Sequence, residues 1–218
     1  MNYLRLFWAF FRVSVQSEVA YRVNFVIQLF QTMLSLGISL IGLTVIFSYT
    51  NTLGGWHPEE ILALVGVYFL VGGIIGLLIQ PGMEDFIQSV RNGTLDFDLT
   101  KPRDAQFLIS IKRVQIWRLI DVLMGLGVLG FALVRMGESV GGEEATVFIL
   151  MLIAGGVIIY SFWLILATFS FWFVRVENIL VVFQSMYEAG RWPISLYPGW
   201  LRYGLTFIIP GAFATTVP

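Results

Sequence analysis

Three long stretches of this chain contain no Asp, Glu, Lys or Arg, and they limit its possible folds more than any other feature. They cover residues 23–58, 61–83 and 145–174, which are 36, 23 and 30 residues long. About 20 predominantly apolar residues are enough for a helix to cross a bilayer. Each window can therefore hold a membrane-spanning helix, and the sequence predicts an all-α, polytopic transmembrane helical bundle.

The composition supports a membrane protein and excludes several other classes. Of the 218 residues, 57% are hydrophobic and 12% are charged, with a net charge of −1; soluble domains have about 25% charged residues. The absence of a basic run argues against a nucleic-acid partner. With no Cys and one His, we expect neither disulfides nor a metal site. No catalytic triad or phosphate-binding loop is found, so we expect a chain that is not itself an enzyme and holds no cofactor.

Residues 1–22 predict an amphipathic interfacial helix that lies on the membrane surface. The apolar side chains that recur at helical spacing are Leu4, Phe7, Trp8, Phe11 and Val15. Arg5 and Arg12 lie away from this stripe, as in helices that rest in the headgroup region. The apolar core is too short for a secretory signal. The alternative is that these residues extend the first span.

A transmembrane domain is predicted over residues 23–218, with five spans visible and a sixth expected. The predicted spans lie near 23–49, 61–79, 106–134, 146–173 and 178–197. Pro81-Gly82 predicts the end of the second span. Asp104 is a plausible cap for the third, which is expected to be one long helix that begins in water. Gly72 and Gly76 stand four residues apart and predict close packing with a neighbouring helix.

The distribution of Lys and Arg predicts a cytoplasmic amino terminus. With that orientation, ten of the thirteen cationic residues fall on the inner side, against three on the outer side. The inner ten are Arg5, Arg12, Arg22, Arg91, Lys101, Arg103, Lys112, Arg113, Arg118 and Arg175. Positive residues concentrate on the cytoplasmic side of membrane proteins.

The inner loop from Glu84 to Asp104 has an apolar face beside charged residues. Phe86, Ile87 and Val90 form a short apolar face, with Asp85 and Arg91 opposite, and Asn92-Gly93 predicts a helix stop. Residues 95–99 then alternate Leu or Phe with Asp, which predicts an extended segment. Such a helix can lie on lipid or dock into a protein, and its acidic residues argue against simple adhesion to anionic lipid.

A polar stripe runs along the first predicted span. Its members, spaced four, three and four residues apart on one helical face, are Asn24, Gln28, Gln31 and Ser35. Because lipid cannot satisfy amide groups, these side chains are expected either to bond to another helix or to line a wet pathway. The remaining charges near span ends are interpreted as local neutralisation at the interface: Asp121, Arg175, Glu177 and Glu188. The charge-free cores argue against a proton relay.

Residues 90–102, VRNGTLDFDLTKP, resemble the signature V-R-x-G-x-L-D-x-x-L-x-x-P of transmembrane permease subunits in the type-2 class of ABC exporters. Residues 17–25, SEVAYRVNF, and the ending at 197–218, YPGWLRYGLTFIIPGAFATTVP, are also similar to that family. The likeness covers essentially the whole chain. It implies six helices per subunit after an interfacial helix, whereas this sequence stops where the sixth helix should begin.

The resemblance also implies a role for the inner loop. Residues Glu84 to Val90 would be a cytoplasmic coupling helix that docks on an ATPase subunit, and the turn behind it would be shaped by Arg91, Gly93, Leu95, Asp96 and Pro102. The segment 200–216 would form an outer re-entrant hairpin. ATP and Mg would bind to the partner ATPase, and a second permease subunit, identical or paralogous, would complete the pathway.

The leading hypothesis is therefore the membrane-spanning subunit of an ATP-driven exporter, located in the cell (inner or plasma) membrane. The alternatives are an ATP-independent secondary transporter or channel and a membrane scaffold without a transport function. The apolar pathway with a few amides fits lipids, hydrophobic drugs, peptides or glycan carriers equally well.

Overall fold

The computed structural model describes residues 3–19, 22–137, 141–173, 181, 184–185 and 187–208. The elements named within these ranges are helical, which confirms the all-α class. Four of the described helices are long and apolar enough to cross a membrane: Val23–Tyr49, Pro58–Arg91, Ile116–Met136 and Gly142–Phe171. Residues 178–180, 182–183 and 186 of the predicted fifth span, 178–197, lie outside the described residues, as do residues 209–216 of the predicted hairpin.

The described helices differ widely in length. In order they are α1 (Tyr3–Val19), α2 (Arg22–Tyr49), α3 (Pro58–Ile74), α4 (Gln80–Arg91), α5 (Leu95–Leu99), α6 (Ala105–Ile111), α7 (Leu119–Met136), α8 (Gly142–Thr168) and α9 (Gly199–Tyr203). A π-helical turn, Ile75–Ile79, joins α3 to α4, and another, Gly204–Ile208, follows α9. Short 3-10 turns occupy Ile116–Arg118, Phe169–Phe171, Ala189–Arg191 and Ile194–Leu196.

The predicted helix over residues 1–22 is present as α1. It packs against α6 and the 116–118 turn, so it lies at the same end of the bundle as the loop after α4. Trp8 is largely exposed, and its ring meets Phe11 edge to face at 5.6 Å. The position of α1 on a membrane surface stays a prediction.

The second helix continues through Pro81, so the predicted stop at this residue was wrong. Proline has no N–H to donate to the carbonyl four residues earlier and normally kinks or ends a helix. Here the π-helical turn lies directly before it, and the Leu77 carbonyl accepts a hydrogen bond from the Gln115 N–H at 3.1 Å. A neighbouring segment thus replaces the missing bond, and the helix runs on to Arg91.

The third predicted helix, 106–134, is broken into α6 and α7. Asp104 caps α6 as predicted, since its Oδ1 accepts a hydrogen bond from the Phe107 N–H at 2.7 Å. The helix then ends at Ile111, and the Gln115 N–H bonds to Leu77 instead of continuing the helical ladder. The break and the π-helical turn therefore face each other and share a hydrogen bond.

Residues 95–99 form helix α5, so the predicted extended segment was wrong. The alternation of apolar and acidic residues matched a strand, but a single helical turn buries Leu95 and Asp98, which stand three residues apart. Phe97 and Leu99 remain exposed. The turn is favoured because it brings Asp98 within reach of two lysines.

Glycines allow α3 and α7 to pack with their backbones close together. A Cβ at Gly66 would lie 2.7 Å from the backbone N of Leu129, and one at Gly73 would lie 2.7 Å from the backbone N of Val122. Gly72 and Gly76, the predicted packing pair, instead give room to the side chains of Tyr187 and Arg118. The predicted close packing with a neighbouring helix does occur in this stretch, but the backbones approach at Gly73 and not at Gly72 or Gly76.

Candidate functional site

A polar cavity of about 230 Å³ lies in the bundle, between α2, α3, the π-helical turn, α7, α8, Gln184 and residues 187–191. Its lining combines amides, ionisable groups and aromatic rings. The residues that line it are Gln28, Gln31, Thr32, Ser35, Tyr68, Phe69, Gly72, Gly73, Ile75, Gln80, Arg118, Asp121, Trp163, Gln184, Tyr187, Glu188 and Arg191. Such a set is unusual in a helical bundle whose sequence windows carry no charge.

The cavity lies well inside the length of α2. Gln28 and Ser35 are six and thirteen residues beyond Arg22, so at 1.5 Å per residue they are roughly 9 and 20 Å along a helix about 40 Å long. Polar groups at this depth cannot be supplied with hydrogen bonds by lipid. They are satisfied by one another, by water or by a ligand.

Asp121 is the centre of a hydrogen-bond network at one side of the cavity. Its residue is only 6% exposed. Oδ1 accepts a short hydrogen bond from Thr32, and Oδ2 accepts from Gln28 Nε2 at 3.3 Å and from Arg118 Nη1 at 3.1 Å. The carboxylate therefore joins α2 to α7 and is neutralised by one guanidinium.

Arg191 lies at the other side of the cavity. Its Nη2 donates to Ser35 Oγ at 3.4 Å, and its guanidinium carbon lies 5.0 Å from the centre of the Tyr68 ring. Tyr187 packs flat against Tyr68, with the ring centres 5.1 Å apart, and donates a hydrogen bond to the Tyr68 carbonyl. These contacts fix the guanidinium against an aromatic wall.

The structure brings three members of the predicted polar stripe to this cavity. Gln28, Gln31 and Ser35 line it, whereas Asn24 is exposed and is not part of the lining. Gln28 bonds to Asp121 of another helix, and the same face of α2 borders the cavity. Whether this cavity is a pathway stays a prediction.

Sequence reasoning did not find Thr32 or Arg191. Thr32 stands four residues after Gln28, so its place on the polar face could have been read from the spacing. Arg191 gave no such signal, since 156 residues separate it from Ser35. The ion pair of Asp121 with Arg118 was expected, but as neutralisation at an interface; Asp121 is instead buried in the bundle. Glu188 lines the cavity, and Arg175 and Glu177 lie outside the described residues.

The predicted coupling residues divide into a buried set and an exposed set. Phe86 and Ile87 are 7% and 3% exposed and belong to the core formed with α3 and α8; the Phe86 ring meets Phe171 at 5.9 Å. Val90 is half-buried against the same core. The apolar face that was predicted to be free for docking is therefore covered by this chain itself, because α4 continues α3 and presents the same face to α8.

The other predicted coupling residues shape the turn after α4. Glu84 is half-buried and accepts a hydrogen bond from Gln80 at 2.8 Å. Gly93 has a φ of +67°, the left-handed conformation that favours glycine after a helix end. Leu95 is buried, and Arg91, Asp96 and Pro102 are exposed.

Helix α5 presents two large apolar side chains to solvent. Phe97 is 72% exposed and Leu99 is 55% exposed. Asp98, between them, points the other way and is ion-paired with Lys101 at 2.7 Å and Lys112 at 3.0 Å. Lys112 also reaches Asp85 at 2.9 Å, so it ties α5 to α4.

The ionisation of this cluster follows from its contacts. The hydrogen bond from Lys101 lowers the pKa of Asp98 below its ordinary value of 3.8, and Lys112 acts in the same direction. Burial alone would lower the pKa of Lys112, but its hydrogen bonds with Asp85 and Asp98 outweigh this and raise the pKa above 10.5. Asp98 and Lys112 are thus both charged throughout the physiological pH range.

No metal site is found in the part of the chain that the structure describes, where no three His, Cys, Asp or Glu side chains form a suitable group. Residues 33–218 match the family described as ABC-2 family transporter protein. This match covers three of the four described candidate spans in full, the part of Val23–Tyr49 from residue 33 onward, and the loop with α5. Neither the curated proteins nor the solved structures gave a match.

Proposed function

Because the chain belongs to the ABC-2 family of transporter proteins, we propose that it is the membrane-spanning permease subunit of an ATP-driven exporter. It is a multi-pass membrane protein. Members of its family are membrane components of transporters and in general associate with an ABC ATPase. In the proposal, ATP and Mg²⁺ bind to that separate ATPase. Two permease subunits, identical or paralogous, enclose the substrate pathway.

The proposed docking surface for the ATPase is the exposed face of α5. The exposure of Phe97 and Leu99 supports this surface. Both are large apolar side chains on a helix whose opposite face is anchored by the ion pair of Asp98 with Lys112. Interfaces depend on a few apolar or aromatic anchors that fill pockets of the partner. Phe86 and Ile87 then act from inside, as the core that supports α5.

The proposed orientation has the amino terminus and α5 in the cytoplasm. Helix α1 packs at the same end of the bundle as α6, which supports a common side for the cationic residues of α1 and of the 91–118 segment. Positive residues favour the cytoplasmic side. An ATPase in the cytoplasm would then meet α5 directly.

A series of ion pairs and hydrogen bonds connects α5 to the cavity. Lys112 joins α5 to α4, α4 continues into the π-helical turn, and Leu77 in that turn is hydrogen-bonded to Gln115 just before Arg118. Closure of two ATPase subunits would move α5, α4 and the start of α7 together. Such a movement changes the cavity walls between two packed arrangements, as in other domain rearrangements.

The test is co-purification of the ATPase with the full chain in which Phe97 and Leu99 are both changed to Asp. We expect the double variant to lose the ATPase and its coupled hydrolysis while the permease reaches the membrane normally. Asn92→Asp is the matched control, since it adds negative charge to the same exposed loop and keeps both apolar anchors. An undiminished complex with the double variant would overturn the assignment.

A second candidate is a secondary transporter that uses an ion gradient. The observation that favours it is the group of ionisable side chains at the cavity, Arg118, Asp121, Glu188 and Arg191, because intramembrane charges mark ion-coupled pathways. Transport by the purified chain alone in proteoliposomes, driven only by a proton or sodium gradient, would establish this function. Transport that requires the ATPase and ATP would exclude it.

A further inference from the structure

The cavity contains buried hydrogen-bond donors that its internal bonds leave unused. Both oxygens of Asp121 already accept bonds, from Thr32, Gln28 and Arg118. The Nε atoms of Arg118 and Arg191 are buried and have no acceptor among the described residues. A buried N–H without an acceptor is unfavourable, so a ligand that brings an acceptor to these two groups is favoured.

We infer that this cavity binds the phosphate group of an amphipathic ligand, held by Arg118 and Arg191. The planar guanidinium presents N–H groups in a fork that matches the oxygens of a phosphate, and such charged hydrogen bonds are the strong ones. The inference names a ligand class for the candidate pathway and to that extent rests on the proposed transport function. The phosphate can belong to a lipid headgroup or be free in solution.

Arg191 has its charge available for a ligand. It contacts the Ser35 hydroxyl and the ring and hydroxyl of Tyr68, none of which is anionic. Arg118 is neutralised by Asp121, which accepts a hydrogen bond from its Nη1, but the Nε–H of Arg118 has no acceptor among the described residues. One full and one partly neutralised guanidinium favour an anion over a neutral or cationic ligand.

The size and walls of the cavity favour an amphipathic ligand. A volume of about 230 Å³ is below the 300–1,000 Å³ of typical small-molecule pockets, so it accepts a headgroup and not whole acyl chains. Phe69, Ile75 and Trp163 line the same cavity and offer apolar contact beside the guanidinium groups. The chains of the ligand would pass out between the helices into lipid.

The cavity also contains one carboxylate that a ligand could meet. Glu188 is exposed and lines the cavity beside Arg191. Taken alone, this carboxylate would repel a second negative charge and attract an ammonium group. We nevertheless expect an anionic headgroup, because the N–H groups without acceptors are buried whereas Glu188 is exposed to solvent, which screens its charge.

The experiment measures equilibrium binding to the full chain, without ATP or ATPase, in a neutral detergent. The probes are short-chain phosphatidylglycerol, short-chain phosphatidylcholine, a short-chain diacylglycerol and inorganic phosphate. We expect saturable binding of phosphatidylglycerol that weakens tenfold or more in Arg191→Gln. Arg135→Gln is the matched control, since Arg135 lies 5.2 Å from the Phe131 ring centre, away from the cavity, and should bind as the wild type does.

A second variant separates loss of charge from displacement of the guanidinium. A Cβ at Gly76 would lie 2.8 Å from Arg118 Nε, so Gly76→Ala should push the side chain away and weaken binding while every charge is kept. Binding of phosphatidylglycerol but not of inorganic phosphate assigns a lipid headgroup, and binding of inorganic phosphate with the same Arg191 dependence assigns a free anion. Each supports the phosphate site.

Three results would overturn the inference. They are equal binding of the diacylglycerol, tighter binding of phosphatidylcholine than of phosphatidylglycerol, and equal affinity in Arg191→Gln and Arg135→Gln. Because the measurement contains no ATPase, such a failure would leave the docking of α5 untouched. Conversely, loss of ATPase docking in the Phe97 and Leu99 double variant does not alter what this cavity binds.

Discussion

Removing the charge of Asp121 should destabilise the bundle strongly, and the amount can be worked from its contacts. Asp121→Asn keeps the size of the side chain but replaces one carboxylate oxygen with an NH₂ group. That group would face either Thr32 or the donors of Gln28 and Arg118. The guanidinium of Arg118 would also lose its counter-charge.

Breaking a buried ion pair costs about 3–5 kcal/mol. The side chain of Arg118 is 28% exposed, which lets water screen part of this loss, so we expect a value near the lower end, about 3 kcal/mol. For a chain of about this size, 1 kcal/mol corresponds to roughly 2–4 °C in the midpoint of thermal unfolding. Asp121→Asn should therefore lower that midpoint by roughly 6–12 °C.

The assay is thermal unfolding of the purified chain in detergent, with Arg118→Gln and the double variant completing a cycle. The double variant removes both charges together, so it should recover most of the stability that either single variant loses. If Asp121→Asn unfolds at the wild-type temperature, or if the two single effects add, the carboxylate is not held in a buried pair and the description of the cavity is wrong.

Three further perturbations test the packing and the loop. Gly125→Ala would place a Cβ against the backbone of Leu70 and should lower the unfolding midpoint, whereas Gly127→Ala, with open space around it, should leave the midpoint unchanged or raise it. Asp98→Asn should cost about 1 kcal/mol and increase hydrogen exchange in α5 at neutral pH, with no loosening of α8. In the wild type, this contribution of Asp98 is complete above pH 3.8 and is lost as the pH falls through its lowered pKa, while that of Lys112 is lost only above pH 10.5. The protection factor of α5, which corrects for the intrinsic rise of amide exchange with pH, should therefore be constant between about pH 5 and 9 and fall below pH 3.8. Pro81→Ala should restore an N–H that competes for the Leu77 carbonyl, so exchange at Gln115 should become faster.

The sequence predicted the helical class and the position of the long spans because hydrophobic length is a local property. The windows at 23–58 and 145–174 required no knowledge of neighbours, and α2 and α8 lie where they were expected. The cap at Asp104 was likewise set by residues within one turn. Such features are decided by the chain near them.

The errors occurred where a distant residue changes the local rule. Pro81 should end a helix, but Gln115 supplies the missing hydrogen bond from another segment. The alternation at 95–99 should give an extended segment, but Lys112 draws Asp98 into a helical turn. Phe86 and Ile87 gave an amphipathic pattern that could not show which partner covers it, and α8 does.

The cavity was only partly predictable for the same reason. The stripe of Gln28, Gln31 and Ser35 marked one wall, since its spacing lies within one helix. The charges that meet this wall come from Asp121 and Arg191, 93 and 156 residues away from their partners along the chain. Charge-free windows in the sequence therefore did not imply a bundle without charged side chains inside it.

The central claim is that this permease works with an ATPase that docks on α5. The most direct measurement is ATP hydrolysis by that ATPase in proteoliposomes, compared between wild-type permease, the Phe97 and Leu99 double Asp variant, Asn92→Asp and liposomes without permease. We expect the wild type and Asn92→Asp to change the hydrolysis rate equally. The double variant should give the same hydrolysis rate as liposomes without permease. A hydrolysis rate that is the same in all four preparations would contradict it.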